Sequence, residues 1–441
     1  MPFFKHEKNS LSTQRFMDAN TKNFRLIFFA FIVGLVSGIV GSLFRYILHL
    51  IEVFRDYLYS NVDKTDLFSW FFPLILGISG VAVSLFLIKK FAPEASGSGV
   101  QEIEGALDNL RPLRWKKIIP VKFIASLFSL GSGFLLGREG PTIQLGANIG
   151  KMIKDVFKQA DDENNPLISA GAAAGLASAF NAPFSGIIFV IEEMHGHFKH
   201  NFFSVAAIML ASGTSDLVSR ALIGANPVIK MTLFNTPSLS AVLLFIFLGI
   251  ILSFIGFFFN KLLIISLDFF NNYKNKLILL SIISGVLIAV IGIYSPDMIG
   301  GGYKTIRMAL DNSITLQFLI VLFLGRFILT IFSYGIGLPG GIFAPLLAIG
   351  VLTGILFGAA TQEYFPGLVQ NPGIFAVAGM AGIFAATIRA PLTGLILAVE
   401  MTSNFELILP LIFTSVTASL FTTMLGNQPI YTTLLERTLK K

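Results

Sequence analysis

There is no cysteine in this chain of 441 residues. That absence removes disulfide frameworks, thiolate metal sites, iron–sulfur clusters and cysteine nucleophiles together. Histidine is nearly as scarce, with five in all, which leaves little material for haem or a dinuclear metal centre. Charge is the third shortage. Lys, Arg, Asp and Glu form 13% of the residues, against roughly 25% in soluble domains. The length would allow two or three soluble domains, but so few ionic groups could not cover their surfaces. What is there instead is apolar: 54% of residues are hydrophobic and 45 are Phe. This is the composition of an all-α polytopic membrane protein. The formal net charge of +7 belongs to loops facing the cytoplasm, where Lys and Arg collect. No basic run is interleaved with stacking aromatics, so nucleic acid is not a partner.

Residues 1–25 are polar and basic, with Lys5, Lys8, Arg15, Lys22 and Arg25. No small-residue cleavage site follows them, so they read as a cytoplasmic N-terminal segment and not a signal peptide. Apolar stretches then run at 26–55, 68–91, 119–136, 166–191, 201–223, 238–267, 276–294, 316–333, 341–361, 373–399 and 406–425. A helical crossing needs ~20 apolar residues. Several of these runs are too long for one simple span, and others are short or broken by glycine. The run from Ser238 to Leu267 predicts a strongly tilted helix, or a span with an interfacial turn. With 41 Gly and 18 Pro, many segments must be interrupted, re-entrant or closely packed. Such backbone survives at membrane depth only when buried in protein or lining a watery cavity.

The chain repeats itself. Residues 170–194 align with 378–402 at an offset of 208, pairing Gly171 with Gly379, Ala182-Pro183 with Ala390-Pro391, and Glu192 with Glu400. GREGPTIQLGANIG (137–150) aligns with GIFAPLLAIGVLTG (341–354) at an offset of 204, and PEASGSGVQEI (93–103) with PDMIGGGYKTI (296–306) at 203. Three motifs in the same order and nearly constant spacing predict duplicated halves, 26–224 and 238–425. A linker spans 225–237, and a short cytoplasmic end, 426–441, carries Tyr431. Duplication with Gly/Pro-interrupted segments in matching places points to a transporter fold with its site between the repeats. Each free helix N-terminus there presents unpaired N–H groups and roughly +0.5 of an elementary charge. Converging ends bind an anion without a full cation and still allow its release.

The candidate helix ends are Gly97-Ser98-Gly99, then Gly137-Arg138-Glu139-Gly140-Pro141, then the run from Gly337 through Gly340, Gly341, Ile342, Phe343 and Ala344 to Pro345. Glycine lets the backbone approach an ion, and proline in a first turn loses no hydrogen bond. Glu139 stands out, because a carboxylate at lipid depth costs at least ~2.5–3.5 kcal/mol and is functional by default. Its anionic form would fill an anion site and its protonated form would vacate it, linking proton to anion.

GSG followed by EIEGAL, then GREGPT, GGIFAP and a late tyrosine resembles the chloride channel and transporter (CLC) family over essentially the whole chain. It is most like the bacterial proton-coupled chloride exchangers. The resemblance implies about eighteen tilted, discontinuous helices in two inverted-topology halves. It also implies a homodimer in the cell's inner (plasma) membrane with one pathway per subunit, both termini cytoplasmic, and no cofactor. By the same resemblance, Ser98 and Tyr431 are the hydroxyl ligands of chloride, and the N–H groups of Ile342 and Phe343 complete that site. Glu139 is the gating glutamate and Glu193 the inner proton-transfer residue. Function is then exchange of chloride for protons, with a passive chloride channel as the alternative on the same fold. Gln101 stands where the family commonly has proline. Ten residues follow Tyr431, so no cytoplasmic regulatory domain is expected.

Glu192 and Glu193 are adjacent acids at the end of an apolar run, and the repeat separates them. Glu192 matches Glu400 and suits architecture, whereas Glu193 matches Met401 and is unique to the first half. His195, His197 and His200 follow; they read as surface imidazoles, not a metal site, and His197 is spaced to supply protons to Glu193. Arg326, Arg389 and Glu400 interrupt apolar runs and should satisfy one another or backbone carbonyls. No enzyme is expected, since no nucleophile and base are spaced for one.

Overall fold

Helices account for almost the whole chain, because a bilayer core offers no partner to free backbone N–H and C=O groups. The computed structural model describes residues 3–158, 166–197, 201–231, 233–234, 237–273, 275–311, 315–369 and 371–440. The first eight helices are α1 (Phe3–Ser60), α2 (Phe71–Phe91), α3 (Val100–Leu107), α4 (Trp115–Gly131), α5 (Glu139–Val156), α6 (Pro166–Phe180), α7 (Pro183–Glu193) and α8 (Phe202–Ile223). The next eight repeat that order: α9 (Val242–Asn271), α10 (Leu277–Tyr294), α11 (Tyr303–Leu310), α12 (Leu316–Gly335), α13 (Phe343–Tyr364), α14 (Gly373–Ile388), α15 (Pro391–Thr402) and α16 (Ile408–Met424). One more, α17 (Ile430–Leu439), has no counterpart and makes seventeen among the described residues. Helix α1 runs unbroken through the basic N-terminal residues into the first apolar stretch.

Among the described residues eight helices, α1, α2, α8, α9, α10, α12, α13 and α16, are long and apolar enough to cross a membrane. Phe247, Phe254 and Phe258 lie exposed along α9, the lipid-facing use to which so many phenylalanines are put. That helix has 30 residues and is preceded by a 3₁₀ turn at Leu239–Ala241. At 1.5 Å per residue it is about 45 Å long, longer than a ~30 Å hydrocarbon core, and so long enough to cross with a tilt.

Inside this shell lie α5, α6 and α14, rich in small residues. Gly146 of α5 packs on the carbonyl of Gly171 in α6, and Gly350 of α13 on that of Gly379 in α14. A Cβ at any of these four would strike the facing backbone, so close helix approach explains the small-residue runs. The same contact therefore occurs once in each half. Both long apolar runs break at matching places. Asn181 (φ 52°) ends α6 and Arg389 (φ 72°) ends α14, each followed by Ala-Pro and a new helix. Proline disfavours helix in the residue before it and starts the next one well.

The carboxylates of Glu192 and Glu400 show that the halves are inverted. Glu400, near the end of α15, accepts from the N–H groups of Phe184 (3.1 Å) and Ser185 (2.7 Å) and from Ser185 Oγ (2.6 Å). Glu192, near the end of α7, accepts from Leu392 N–H (3.0 Å), Thr393 N–H (2.7 Å) and Thr393 Oγ1 (2.7 Å). Each helix thus caps the other's N-terminus, which requires α7 and α15 to be antiparallel. A carboxylate on free helix N–H groups gains both hydrogen bonds and the dipole. Glu400→Ala is therefore expected to cost about 1–2 kcal/mol and lower the detergent melting midpoint, with Glu400→Gln costing less. Unchanged melting in size-exclusion after heating would show that the caps are not structural.

Candidate functional site

Three glycine-rich turns, far apart in sequence, are tied together by their backbones. Gly97 N–H donates to Leu338 O (3.2 Å) and Gly340 N–H to Gly97 O (3.0 Å). Gly137 and Gly341 exchange both hydrogen bonds, at 2.8 and 2.7 Å. This brings the starts of α3, α5 and α13 to one buried place. Glycine is required there for two reasons. Gly97 (φ 63°) and Gly99 (φ 88°) hold the left-handed conformation that leads into α3, and side chains are strained in it. A Cβ on Gly140 would stand 2.7 Å from Ser98 Oγ and 2.9 Å from Gly341 Cα.

Glu139 is the first residue of α5 and is fully buried. Its Oε1 accepts from Phe343 N–H at 2.7 Å and Ala344 N–H at 3.3 Å, at the start of α13. Its Oε2 is buried without a partner. A carboxylate thus occupies an anion site made of helix N–H groups. Arg138, next to it, turns away and lies 4.6 Å over the ring of Tyr303. Ile342 is the residue before α13, and no bond from it reaches Glu139; of the expected backbone donors, Phe343 carries the contact, joined by Ala344.

Ser98 and Tyr431 are both fully buried, and Ser98 Oγ faces Tyr431 Oη at 3.4 Å. That is longer than an ordinary O–H···O bond of roughly 2.7–2.8 Å, so the two hydroxyls converge without either being strongly engaged. Tyr334 Oη accepts from Ser98 N–H at 3.3 Å. Phe343 joins the two parts of the site. Its N–H holds Glu139 while its ring packs against Tyr431 at 6.1 Å, Phe189 at 5.5 Å and Phe384 at 4.7 Å. Gln101 is nine-tenths buried and lines a cavity of about 470 Å³ beside the Gly97 turn, shared with Tyr334, Arg111 and Arg437.

Lys122 is the residue that sequence reasoning missed. It is fully buried behind the Gly97 turn, and its ammonium donates to the carbonyls of Ala95 (3.0 Å), Gly97 (2.7 Å) and Ser98 (3.2 Å). An ammonium has three N–H donors, so all are spent on carbonyls and none is left for an anion. Arg326 is its counterpart in the second half, bonded to Gly300 O (2.8 Å), Met298 O (3.3 Å) and Thr305 Oγ1 (3.1 Å). The two stand 204 residues apart, the offset of the neighbouring repeat. That spacing was the available signal. Arg389 likewise donates to a carbonyl, that of Asn427 at 2.9 Å, while Glu400 takes N–H groups. None of these three satisfies another.

Glu193 is the last residue of α7 and half-buried, and it makes no hydrogen bond to the turns that hold Glu139. His197 lies just beyond it, bonded to Asp108 at 2.7 Å. His200 lies outside the described residues. Among the described residues no three His, Cys, Asp or Glu side chains are grouped to hold a metal ion.

The arrangement has known parallels. The family model described as voltage gated chloride channel matches residues 80–423. The H(+)/Cl(-) exchange transporter ClcA of Vibrio cholerae is 42% identical over 432 residues, covering 97% of this chain and 92% of that one. That of Salmonella agona is 40% identical over 433 residues, with the same coverage. Among solved structures, a slow cyanobacterial Cl-/H+ antiporter superimposes with a TM-score of 0.90 at 36% identity, covering 95% of this chain and 98% of that one. By its sequence, its repeated fold and the turns that meet at Glu139, this chain belongs to the voltage-gated chloride channel family.

Proposed function

We propose that this protein is a secondary active transporter, not an enzyme, that exchanges chloride for protons across the inner membrane. The observation that carries the reading is the Glu139 carboxylate seated on the N–H groups of Phe343 and Ala344. The charged side chain and a chloride ion would compete for the same helix ends. Protonation removes that charge, the helix dipoles no longer hold the side chain, and chloride takes its place. Chloride sits between the hydroxyls of Ser98 and Tyr431, with the N–H groups of Ile342 and Phe343 completing its shell. The turns Gly97, Gly99, Gly137, Arg138, Gly140, Pro141, Gly340, Gly341, Ala344 and Pro345 shape the passage. Glu193 passes the proton to and from the other face. The repeats 26–224 and 238–425 each supply part of this one pathway, and two subunits with cytoplasmic termini pair as a homodimer, each with its own. The ClcA transporters and the cyanobacterial antiporter, named as proton–chloride exchangers, support this reading.

The test is the reversal potential of purified protein in planar bilayers under opposed chloride and pH gradients. Exchange predicts a potential displaced from the chloride equilibrium value and moving with pH. Reversal at the chloride potential at every pH would make the protein a channel. Tyr431 gives a second expectation. A hydrogen bond to a charged partner is worth roughly 1.5–3 kcal/mol, so Tyr431→Phe should weaken chloride binding about ten-fold or more. Tyr431→Ala should weaken it further and degrade coupling, since the ring against Phe343 is lost too. Equal affinity in all three proteins by calorimetry would leave the phenol only a packing role.

A further inference from the structure

The turn after α7 meets the end of α3 through a cluster of ionisable side chains. Asp108 caps the C-terminus of α3, and His197 sits in the turn after α7. His197 Nδ1 is 2.7 Å from Asp108 Oδ2, and both side chains are partly open to solvent, at 24% and 32%. One turn back on α3, Glu104 is buried, within electrostatic reach of both Asp108 and Glu193. Its Oε2 is buried with no hydrogen-bond partner. Glu193, the last residue of α7, is half-buried.

Glu192 cannot share this work. Both of its oxygens are committed to the N–H groups and hydroxyl that start α15. A carboxylate only partly open to water exchanges its proton faster through a neighbouring donor that water reaches. His197, four residues further on, is bonded to an acid across the gap between two helices. We propose that the His197–Asp108 pair is the proton port of Glu193. The inference rests on the reading of Glu193 as the proton-transfer residue. Asp108 accepts the Nδ1 proton and fixes the ring against α3. Nε2 takes a proton from hydronium, leaving water, and the imidazolium so formed gives that Nε2 proton to the Glu193 carboxylate and returns to neutral. Charge is conserved at each step, and no other reactant is consumed.

Imidazole is suited to this because it ordinarily exchanges its proton between about pH 5 and 8. Asp108 is the ionisable group bonded to it; Glu104 on α3, Glu192 and Glu193 at the end of α7 and His195 in the same turn are the others on these elements. Lys199 and His200 lie outside the described residues. Because His197 acts through Glu193, it is a positioning and relay residue, and neither Ser98 nor Tyr431 touches it.

The experiment uses full-length protein in liposomes, with proton uptake driven by a chloride gradient and the pH on the His197 face varied from about 5.5 to 8. His197→Ala and Asp108→Asn are compared with wild type. The expected result is a proton flux about ten-fold or more slower above neutral pH. It should recover at low pH and be restored by added imidazole buffer in His197→Ala. Chloride flux of His197→Ala is also measured with Glu139→Ala as background, where no proton is needed, and should match that background alone. Wild-type proton flux and pH profile in His197→Ala would overturn the proposal. So would an equal loss of chloride flux in the uncoupled background, or failure of imidazole to restore flux, since either marks a purely structural bond. Glu193→Gln runs alongside. If it keeps proton transport, the reading of Glu193 fails; if it abolishes transport while His197→Ala is unaffected, only the port fails.

Discussion

Proton transport is expected to stop in Glu193→Gln while chloride continues to move. The amide keeps the size and hydrogen bonding of the acid but cannot carry a proton. Loss of an acid–base group of this kind slows its proton step by roughly 100-fold or more, which in flux measurements is abolition. Glu193 stands at the end of α7 and takes no part in the hydrogen bonds around Ser98 and Glu139, so those bonds survive the substitution. Chloride flux should stay within about three-fold of wild type, the ordinary scatter of a substitution away from the reacting groups. The reversal potential should move onto the chloride equilibrium value. Glu192→Gln is the control: it weakens a helix cap, and should lower stability without uncoupling. Proton pumping by Glu193→Gln at the wild-type rate would remove the residue from the mechanism. A parallel fall of both fluxes would show that it merely supports the fold.

The second large effect is expected at Glu139. In Glu139→Gln the side chain is neutral at every pH, so the N–H groups of Phe343 and Ala344 lose the charge that competes with chloride. Proton coupling should vanish, and chloride flux should lose its pH dependence while remaining measurable. Chloride binding should tighten, because the resident carboxylate no longer has to be displaced; a hydrogen-bonded charge of about 1.5–3 kcal/mol corresponds to roughly ten-fold or more in affinity. The two variants fail differently. Glu139→Gln removes the competitor at the chloride site, whereas Glu193→Gln leaves it in place and removes its proton supply. Pumping that persists with Glu139→Gln would mean the proton travels another way.

Much of this was legible in the residues alone, and the reason lies in their chemistry. Low charge and abundant Phe are dictated by a lipid solvent, so the membrane class follows from composition. The repeat is written in Gly and Pro, whose backbone demands tolerate few substitutes, so it survives where side chains have diverged. Hence the breaks at Asn181 and Arg389, the left-handed turns at Gly99 and Gly302 and the paired caps Glu192 and Glu400 fall where the offsets of 203 and 208 put them. An acid such as Glu139 inside an apolar segment announces a function by its cost. What the linear order could not convey was who meets whom across 200 residues. That Glu139 bonds Phe343 and Ala344, that Lys122 spends its charge on three carbonyls behind Ser98, and that His197 reaches Asp108 depend on long-range packing. A buried polar group is compatible with many partners of the right hydrogen-bonding type. The sequence alone determined which groups must be paired and on what kind of backbone, and only the tertiary structure decided the pairs, because helix packing sets which unpaired donor and acceptor come within 3 Å of each other.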